Sequence, residues 1–561
     1  MAETSTAVLP DRSETVDAYF FPEASSRERW IALSLILLSC LYLRIFYHYS
    51  ALNADEGIVL QGAQRILQGQ VLYRDFFSYF TPGSYYWMAL LFKLFGSSIL
   101  VGRAALIVYG GLFSALTYLI ARRVCARWSA LLACYAVLLT CLPFRFVVLH
   151  NWDSTLLAYL TLYCALLVFE RGGRAWAVAA GSFAALTILF EHSKGVGLVL
   201  GLLCGYLLIA WRSRTWSLLD AGQLAGLALG FGWPFLATFS YFALEHSTVA
   251  MLSSWAWPMF HYTGANRLPY GFLVMSTPDR TELLAGPWSM KLATLVTLGP
   301  CILLPILPAI ALAILLHFGF RGGRSEHLDP RSTYWILISA TLTGLVASTF
   351  LTKRADFTHL NYLGPLFYLV LAWMLGGPGS FSRLWRYLQP IVALCAFFCV
   401  TGFGMAMLWG PLGAHHISRT VRGEIKTVGS DGPLEFLQAN VRPGEEMLIY
   451  PYEPLYYYLT GTFSAIRLEY LQPGMHTADQ FRQAALELSA KRPRVVLFEP
   501  TFREKVPLGW PNTPLATLVA PDPVQEYIFA HYRPCAALSS NDFWHFVYMV
   551  RNDNACPPTG Q

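Results

Sequence analysis

Long apolar segments alternate with short polar connections over roughly the first 410 residues of the chain. A helix that crosses the hydrocarbon core of a bilayer needs about 20 predominantly apolar residues. By this criterion the sequence predicts eleven transmembrane helices, at about 30–49, 100–121, 128–148, 153–170, 175–191, 195–211, 218–244, 291–318, 332–351, 361–378 and 386–408. The segment 82–96 is shorter, contains Lys93 and is bounded by Pro82 and Gly96, which favours an amphipathic helix along the membrane interface.

The pattern changes after about residue 412, where charged residues become as frequent as in soluble domains. The runs EMLIY (446–450), VVLF (495–498) and FWHFVYMVR (543–551) predict strands, and the segments 479–491 and PVQEYIFAHY predict helices. The fold class expected is a polytopic α-helical membrane protein with a C-terminal extracytoplasmic α/β domain. The expected regions are a cytoplasmic tail (1–29), a transmembrane catalytic domain (30–411) with outer loops at 50–99 and 245–290, and the C-terminal domain (412–561).

Composition supports this assignment. Hydrophobic residues make up 55% of the chain and charged residues only 13%, whereas soluble domains carry about 25% charged residues. So few charges cannot cover a globular surface of this size, which excludes a purely cytosolic enzyme. An aromatic content of 15% excludes a disordered chain. The formal net charge of +6 lies largely in short arginine clusters, which are typical of topology signals, and we expect no nucleic-acid partner.

The arginine clusters predict the orientation in the membrane. If the N-terminus is cytoplasmic, all five clusters fall on the cytoplasmic side, as the positive-inside bias requires. The C-terminal domain then lies outside the cytoplasm. The clusters are Arg122, Arg123 and Arg127; Arg171 and Arg174; Arg212 and Arg214; Arg321, Arg324 and Arg331; and Arg383 and Arg386.

The remaining ionisable residues near the apolar segments gather at the predicted outer ends of the helices. Such groups are costly at membrane depth, so they are candidates for function. They are Asp55 and Glu56, Arg74 and Asp75, Asp153, Glu191 and Lys194, and Arg354, Asp356 and His359. Structural alternatives stay open, because an aspartate at a helix start is often an N-cap and surface ion pairs contribute little. The adjacent carboxylates Asp55 and Glu56 are the most specific signal.

The sequence around these residues resembles the GT-C superfamily of integral-membrane glycosyltransferases. Within it, the chain is most similar to the bacterial branch of protein O-mannosyltransferases and lipid A aminoarabinose transferases. The resemblance covers about residues 30–410. It rests on Asp55-Glu56, the following GIVLQGAQRILQGQVLYRDFFSYFTPGSYYW, KLFG, Arg103, Asp153, Lys194-Gly195 and R-x-D-x-x-H at 354–359. Several relatives have Glu-Lys-Pro-Pro where this chain has Phe80-Thr81-Pro82-Gly83, so no metal site is transferred.

The resemblance implies inverting transfer of a sugar from a polyprenyl-phosphate donor to an acceptor hydroxyl on a glycan, lipid or protein. It favours the extracytoplasmic face of a bacterial inner membrane. On this expectation Asp55 is the general base, and Glu56 orients it or binds a cation. The donor phosphate is expected to meet Arg354 and Lys194, then Arg74, with His359 as a hydrogen-bond donor. The supporting carboxylates, which could hold a divalent metal cation, are Asp153, Asp356, Asp75 and Glu191.

Membrane lipids and the lipid chain of the donor are expected to contact the aromatic-rich helices. Tyr85, Tyr86 and Trp87 suit a groove for the donor chain, although such residues also form aromatic belts at the headgroup level. The long loop at 245–290 could act as a lid over the acceptor.

Three alternatives stay open at this stage. A transporter or flippase of lipid-linked or small polar substrates is the main rival, because several helices contain Gly and Pro. A membrane scaffold or sensor that reads ligands through the C-terminal domain is the second. Cys535 and Cys556, the two cysteines of the polar C-terminal region, form either a disulfide or two free thiols.

Overall fold

Long apolar helices form a bundle, and a smaller region that contains both helices and strands follows it in the chain. The computed structural model describes residues 26–261, 267–273, 285–321, 328–376, 383–540 and 544–558. The predicted tail at 1–29 lies outside the described residues apart from 26–29, and the loop at 245–290 is described only in part.

Sixteen helices precede the first strand in the described part of the chain. They are α1 (Ser26–Leu43), α2 (Ala54–Leu67), α3 (Gly83–Phe95), α4 (Ile99–Ala121), α5 (Arg127–Thr140), α6 (His150–Arg171), α7 (Arg174–Phe190), α8 (His192–Ser213), α9 (Ala221–Leu244), α10 (Thr248–His261), α11 (Trp288–Thr297), α12 (Gly299–Leu316), α13 (Pro330–Leu351), α14 (Phe357–Tyr362), α15 (Gly364–Gly376) and α16 (Arg383–Gly413). Short 3₁₀ turns follow α1 and α5, and a π turn follows α12.

Nine of these helices are long and apolar enough to cross a membrane: α1, α4, α5, α6, α8, α9, α12, α13 and α16. The predicted spans at 175–191 and 361–378 form the shorter apolar helices α7 and α15. The predicted fold class is confirmed, but the count of eleven crossings is not. The segment predicted to lie along the interface forms α3, a helix of 13 residues.

Close backbone contacts hold the bundle helices together. At the contact between α8 and α13, a methyl group added to Gly344 would lie 2.2 Å from the carbonyl oxygen of Gly197. Such contacts are typical of membrane helices, because lipid chains are as apolar as the helix surfaces and association depends on close packing.

The C-terminal region contains two sheets. β1 (His416–Thr420) and β2 (Gly423–Thr427) form an antiparallel hairpin. β3 (Glu446–Tyr450) pairs in parallel with β4 (Phe463–Ser464) and with β5 (Val495–Phe498). β7 (His545–Arg551) pairs antiparallel with β5 and with β6 (Tyr532–Ser539), which gives the order β4-β3-β5-β7-β6. The helices are α17 (Gly432–Asn440), α18 (Pro454–Thr460), α19 (Ala478–Lys491), α20 (Phe502–Gly509), α21 (Leu515–Leu518) and α22 (Pro523–His531).

This region matches the sequence expectation in its main elements. The strands predicted at 446–450 and 495–498 form β3 and β5 with α19 between them, and the predicted final strand forms β7. The hairpin, the edge strands β4 and β6 and the buried helix α18 were not predicted. Cys535 and Cys556 form a disulfide with their Cα atoms 5.5 Å apart, which resolves the alternative left open by the sequence.

Helix α2 joins the bundle to the C-terminal region through two opposite faces. Glu56, Leu60 and Ala63 are fully buried within the contact with the bundle. The face at the spacing i, i+4, i+8 carries Gly57, Gln61 and Arg65, and it contacts the C-terminal region. Helical geometry places residues with these two spacings on separate faces. The largest hydrophobic cluster accordingly includes side chains of the bundle, of α2 and of α18.

The contact between α2 and α18 leaves no room for a side chain at Gly57. A Cβ atom there would lie 2.1 Å from the backbone nitrogen of Leu455, which cannot move like a side chain. We predict that Gly57→Ala destabilises the protein by about 1–3 kcal/mol, the usual cost of overpacking. The thermal unfolding midpoint in detergent measures this effect.

Gly232→Ala is the matched control, because Gly232 also lies inside a helix and its Cβ would meet nothing within 4 Å. Both substitutions raise helix propensity, so only the clash separates them. Equal unfolding midpoints for the two variants would contradict the contact between α2 and α18.

Candidate functional site

Asp55 lies in the first turn of α2 and is held by groups from three parts of the chain. The side chain of Asn53 caps the helix by accepting a hydrogen bond of 3.1 Å from the Asp55 backbone N–H. Arg145, in the 3₁₀ turn after α5, forms an ion pair with Asp55 Oδ2. The hydroxyl of Tyr452, which follows β3, donates to Asp55 Oδ1 at 2.5 Å. The Asp55 side chain remains 41% exposed, so it is still accessible.

Glu56 points in a different direction from its neighbour. Consecutive residues of an α-helix are turned by about 100° relative to each other. The Glu56 carboxylate is fully buried, pairs with Arg103 of α4 at 2.5 Å and accepts a bond of 3.0 Å from the Val148 backbone N–H. Arg103 also donates to the carbonyl of Phe146. Glu56 therefore fastens α2 to the bundle and does not line the cavity that Asp55 faces.

A polar cavity of about 130 Å³ lies beside Asp55. It brings together three of the ten residues that the sequence singled out: Asp55, Arg354 and His359. The other polar and aromatic residues of its lining are Tyr79, Phe80, Arg145, His150, Asn151, Thr358, Tyr362, Tyr452, Tyr470 and Trp510. The ring centroids of Phe80 and His150 lie 4.3 Å apart.

Arg354 and His359 stand on a short turn and helix after α13. Asp356 is the N-cap of α14, accepting backbone bonds from Thr358 (3.0 Å) and His359 (3.3 Å). Its other oxygen lies 2.8 Å from His359 Nδ1, so it fixes the imidazole ring. Although burial raises the pKa of Asp356, the nearby His359 and Arg354 outweigh burial and lower this pKa to about 2. Asp356 thus stays ionised.

The Arg354 guanidinium lies over the ring of Trp510, with its central carbon 5.7 Å from the ring centroid. Among the described residues Arg354 forms no salt bridge, and its Nε has no hydrogen-bond partner. A guanidinium with unused donors beside a cavity can bind an anion through two parallel hydrogen bonds.

Lys194 and Glu191 form a separate buried cluster. The Lys194 ammonium contacts Glu191 (2.8 Å), the Asn151 carbonyl (2.9 Å), Ser154 Oγ (2.8 Å) and Thr155 Oγ1 (3.1 Å). Burial raises the pKa of Glu191, but the nearby Lys194 and His150 outweigh burial and lower this pKa to about 2. The cluster fixes the first turn of α6 to the start of α8, and neither residue lines the polar cavity.

Arg74 and Asp75 also lie away from the polar cavity. The Arg74 guanidinium pairs with Asp75 at 2.9 Å and with Glu245 at 2.8 Å, and its side chain is well exposed. Hydrogen bonds from Arg74 and from the Val71 backbone N–H lower the pKa of Asp75, although burial opposes this shift. These contacts fix the loop after α2 against the end of α9.

Asp153 lines a second cavity of about 560 Å³, which is apolar over most of its wall. Asp153 Oδ2 accepts a bond of 2.6 Å from Ser84 at the start of α3. The walls come from α3, α6, α7 and α9 and include Trp87, Leu90, Leu156, Leu186, Phe190 and Phe242. The two cavities are neighbours, because adjacent residues of the same segments line them. Phe80 lines the polar cavity and Pro82 and Gly83 line the apolar one. In the first turn of α6, Asn151 lines the polar cavity and Asp153 lines the apolar one.

The candidate residues do not fit a metal centre. Within the described ranges, no group of three or more His, Cys, Asp and Glu side chains is arranged to hold a metal ion. The carboxylates proposed for that role are separated instead: Asp153 bonds Ser84, Asp356 caps α14, Asp75 pairs with Arg74 and Glu191 pairs with Lys194. We therefore derive no chemical step through a metal.

Sequence reasoning missed Arg145, Tyr452 and Trp510. Of these three residues, Arg145 carried the clearest sequence signal. It directly follows a long apolar segment, and a charged residue is unusual at membrane depth. No signal pointed to Tyr452, which is 397 residues from Asp55 in the chain. Trp510 lies in the C-terminal region, for which the sequence offered no site motif.

Known proteins resemble this chain in sequence and in fold. A sequence model of the family described as dolichyl-phosphate-mannose-protein mannosyltransferase matches residues 80–239. ArnT from Cupriavidus metallidurans, in a crystal structure with bound undecaprenyl phosphate, aligns over 95% of this chain and 100% of its own, with 12% identity and a TM-score of 0.50. The apo oligosaccharyltransferase of Archaeoglobus fulgidus aligns over 89% and 73%, with 13% identity and a TM-score of 0.51. No curated protein sequence matches the chain.

At these identities the structural likeness establishes the fold. The chain is an integral membrane protein with the fold of the GT-C superfamily of glycosyltransferases, and the resemblance inferred from the sequence is confirmed. A second structure of the Archaeoglobus fulgidus oligosaccharyltransferase, in complex with Zn and sulfate, aligns over 91% of this chain and 72% of its own, with 14% identity and a TM-score of 0.50.

The two members of the acidic doublet should respond differently to loss of charge. We predict that Glu56→Gln lowers stability by about 3–5 kcal/mol, because it leaves the buried Arg103 without its counter-charge. Asp55→Asn should change stability much less, since the Asp55 side chain is partly exposed. Thermal unfolding of both purified variants tests this, and equal losses would contradict the assignment of Glu56 to the bundle contact.

Proposed function

We propose that this protein is a glycosyltransferase that moves a hexosyl or pentosyl group from a polyprenyl-phosphate donor to an acceptor hydroxyl. The observation that carries the proposal is the adjacency of two cavities. One contains an accessible carboxylate and cationic side chains, and the other is apolar. A lipid-linked sugar has the same division between a polar, anionic head and a long apolar chain. The neighbouring ArnT structure, which contains undecaprenyl phosphate, supports this donor class.

The apolar cavity suits the lipid chain of the donor. Its walls belong mainly to α3, α6, α7 and α9, and the apolar side chain of Leu90 in its lining is 46% exposed. Membrane lipid would cover such a surface, so a polyprenyl chain can reach the cavity from the bilayer. The donor phosphate then falls near residues 80–83, of which Phe80 lines the polar cavity.

The polar cavity suits the reacting groups. Arg354 offers donors that no described side chain uses, and Asp356 holds the Nδ1 side of the His359 ring. Among the described residues, His359 Nε2 has no hydrogen-bond partner, so it can donate to a phosphate oxygen when the ring is protonated. We assign the donor phosphate to Arg354 and His359. Lys194 and Arg74, considered for this role from the sequence, contribute in our proposal through the loops that they fix.

Asp55 serves as the general base in the proposed reaction. Its carboxylate takes the proton of the acceptor hydroxyl while that oxygen forms a bond to the anomeric carbon. The bond between the anomeric carbon and the phosphate oxygen breaks, and the polyprenyl phosphate leaves with the electron pair. Arg354 and His359 stabilise the charge that develops on this phosphate. Attack on the face opposite the leaving group inverts the anomeric configuration.

The proposed location is the extracytoplasmic face of a bacterial inner membrane. The arginine clusters favour a cytoplasmic N-terminus. The Cys535–Cys556 disulfide favours an oxidising compartment for the C-terminal region. The acceptor is a glycan, a lipid or a protein, whose hydroxyl enters the polar cavity.

Asp55→Asn tests the assigned base. We predict that this variant lowers kcat by on the order of 10²–10⁴-fold, because the amide cannot take the acceptor proton. The measurement is sugar transfer by purified protein in detergent, with a panel of labelled polyprenyl-phosphate sugars. Asp479→Asn is the matched control, since Asp479 lies on the surface of α19 with its side chain 82% exposed, and it should retain full activity.

A parallel assay in sealed vesicles separates transfer from transport. Flux of the labelled donor across the membrane, with no new glycosidic bond, would replace the proposed function by a transporter or flippase. Full transfer activity in the Asp55→Asn variant would instead remove the role of this residue alone.

Arg354→Ala tests the phosphate assignment. Loss of a charge-assisted hydrogen bond typically costs about 1.5–3 kcal/mol, so we predict that the apparent donor KM rises about 10- to 100-fold. The acceptor KM should change little. Arg482→Ala, which removes a mostly exposed arginine of α19, is the control. An unchanged donor KM in Arg354→Ala would contradict the assignment.

A further inference from the structure

Tyr452 brings the C-terminal region into direct contact with the proposed base. It lies two residues after the end of β3, and its hydroxyl donates to Asp55 Oδ1 at 2.5 Å. Burial and the nearby Asp55 carboxylate raise the pKa of Tyr452 well above its usual value. The hydroxyl therefore keeps its proton and remains a hydrogen-bond donor throughout the physiological pH range.

Other aromatic residues of the C-terminal region pack against the ring of Tyr452. The ring of Tyr470 meets it edge to face with centroids 5.0 Å apart, and the ring of Phe502 lies 6.2 Å away. Both contacts belong to the C-terminal region. The packing of this region thus helps to fix the direction of the Tyr452 hydroxyl.

Contacts along α2 fix the distance between the two regions. Gly57 allows the backbone of Leu455 to approach, and the Gln61 side chain donates to the Thr462 carbonyl at 3.1 Å. Two turns after Gly57, Arg65 pairs with the buried Glu469 at 3.3 Å. The first of these contacts is at Gly57, two residues after Asp55. The contacts therefore fix the position of Tyr452 relative to the start of α2.

We propose that Tyr452 is a positioning residue, which orients the Asp55 carboxylate towards the acceptor hydroxyl and makes the C-terminal region part of the active site. This inference rests on the proposed function. An ionised carboxylate has about four acceptor positions. Arg145 uses one on Oδ2 and Tyr452 one on Oδ1, which leaves positions for the acceptor. Without Tyr452, the carboxylate can rotate into a two-point contact with Arg145, which lowers its alignment with the acceptor.

The same segment of the chain supplies a matched control. Tyr450 also donates its hydroxyl to an aspartate, Asp522, but this bond lies wholly within the C-terminal region. Tyr450→Phe and Tyr452→Phe therefore each remove one hydroxyl from a tyrosine–carboxylate pair. Only the second of these substitutions changes a group at the polar cavity.

Kinetics of the purified full-length variants test the inference. We expect Tyr452→Phe to lower kcat about 10- to 100-fold with little change in the donor KM. Tyr450→Phe should leave kcat unchanged, even if its unfolding midpoint falls. Wild-type kcat in Tyr452→Phe would overturn the inference.

A second measurement does not depend on activity. Carbodiimide labelling of carboxylates, followed by mass spectrometry, reports how accessible and how firmly held Asp55 is. We expect faster labelling of Asp55 in Tyr452→Phe than in the wild type or in Tyr450→Phe, and an unchanged rate would overturn the inference. If the wild type transfers no sugar from any donor in the panel, the proposed function fails, while the labelling still decides the role of Tyr452.

Discussion

Helix α2 is buried on two opposite faces, and the position of the proposed base depends on this double contact. One face is fixed by the ion pair between Glu56 and Arg103, which lies almost entirely out of solvent. The other allows the backbone of Leu455 to pack directly on Gly57. A short helix in water is only marginally stable on its own. Here tertiary contacts on both sides define its orientation, and with it the direction of the Asp55 side chain.

This arrangement separates the chemistry of two neighbouring carboxylates. Because they differ by about 100° around the helix axis, Asp55 faces the polar cavity while Glu56 faces the bundle. A buried carboxylate is tolerated when a charged partner and a backbone donor satisfy it, and Glu56 has both. Asp55 keeps free acceptor capacity because its side chain remains partly exposed and its two partners take one position on each oxygen.

The two cavities meet where α3 and α6 begin, and this junction explains why polar residues occur there in an otherwise apolar bundle. Asp153 and Ser84 bond each other beside the apolar cavity, and the Lys194 cluster fixes the same turn of α6 from behind. Buried polar groups of this kind need partners, since each unsatisfied one is costly at membrane depth. The network therefore gives the wall between the cavities a defined shape. The proposed lipid-linked donor needs such a wall if its head and its chain are to occupy different environments.

The sequence by itself determined the apolar helices, the main strands of the C-terminal region and the acidic doublet at the start of α2. Each of these follows from local composition, because a bilayer demands long apolar segments and a buried strand demands short ones. Spacing along the chain could not tell which polar residues share a cavity. It grouped Lys194 and Arg74 with Arg354, whereas the fold gives the first two their own partners. Tyr452 reaches Asp55 across 397 residues, and only the docking of α18 on α2 brings them together. Such contacts depend on how whole helices pack. The residues that determine this packing are spread over both helix surfaces and form no single sequence motif.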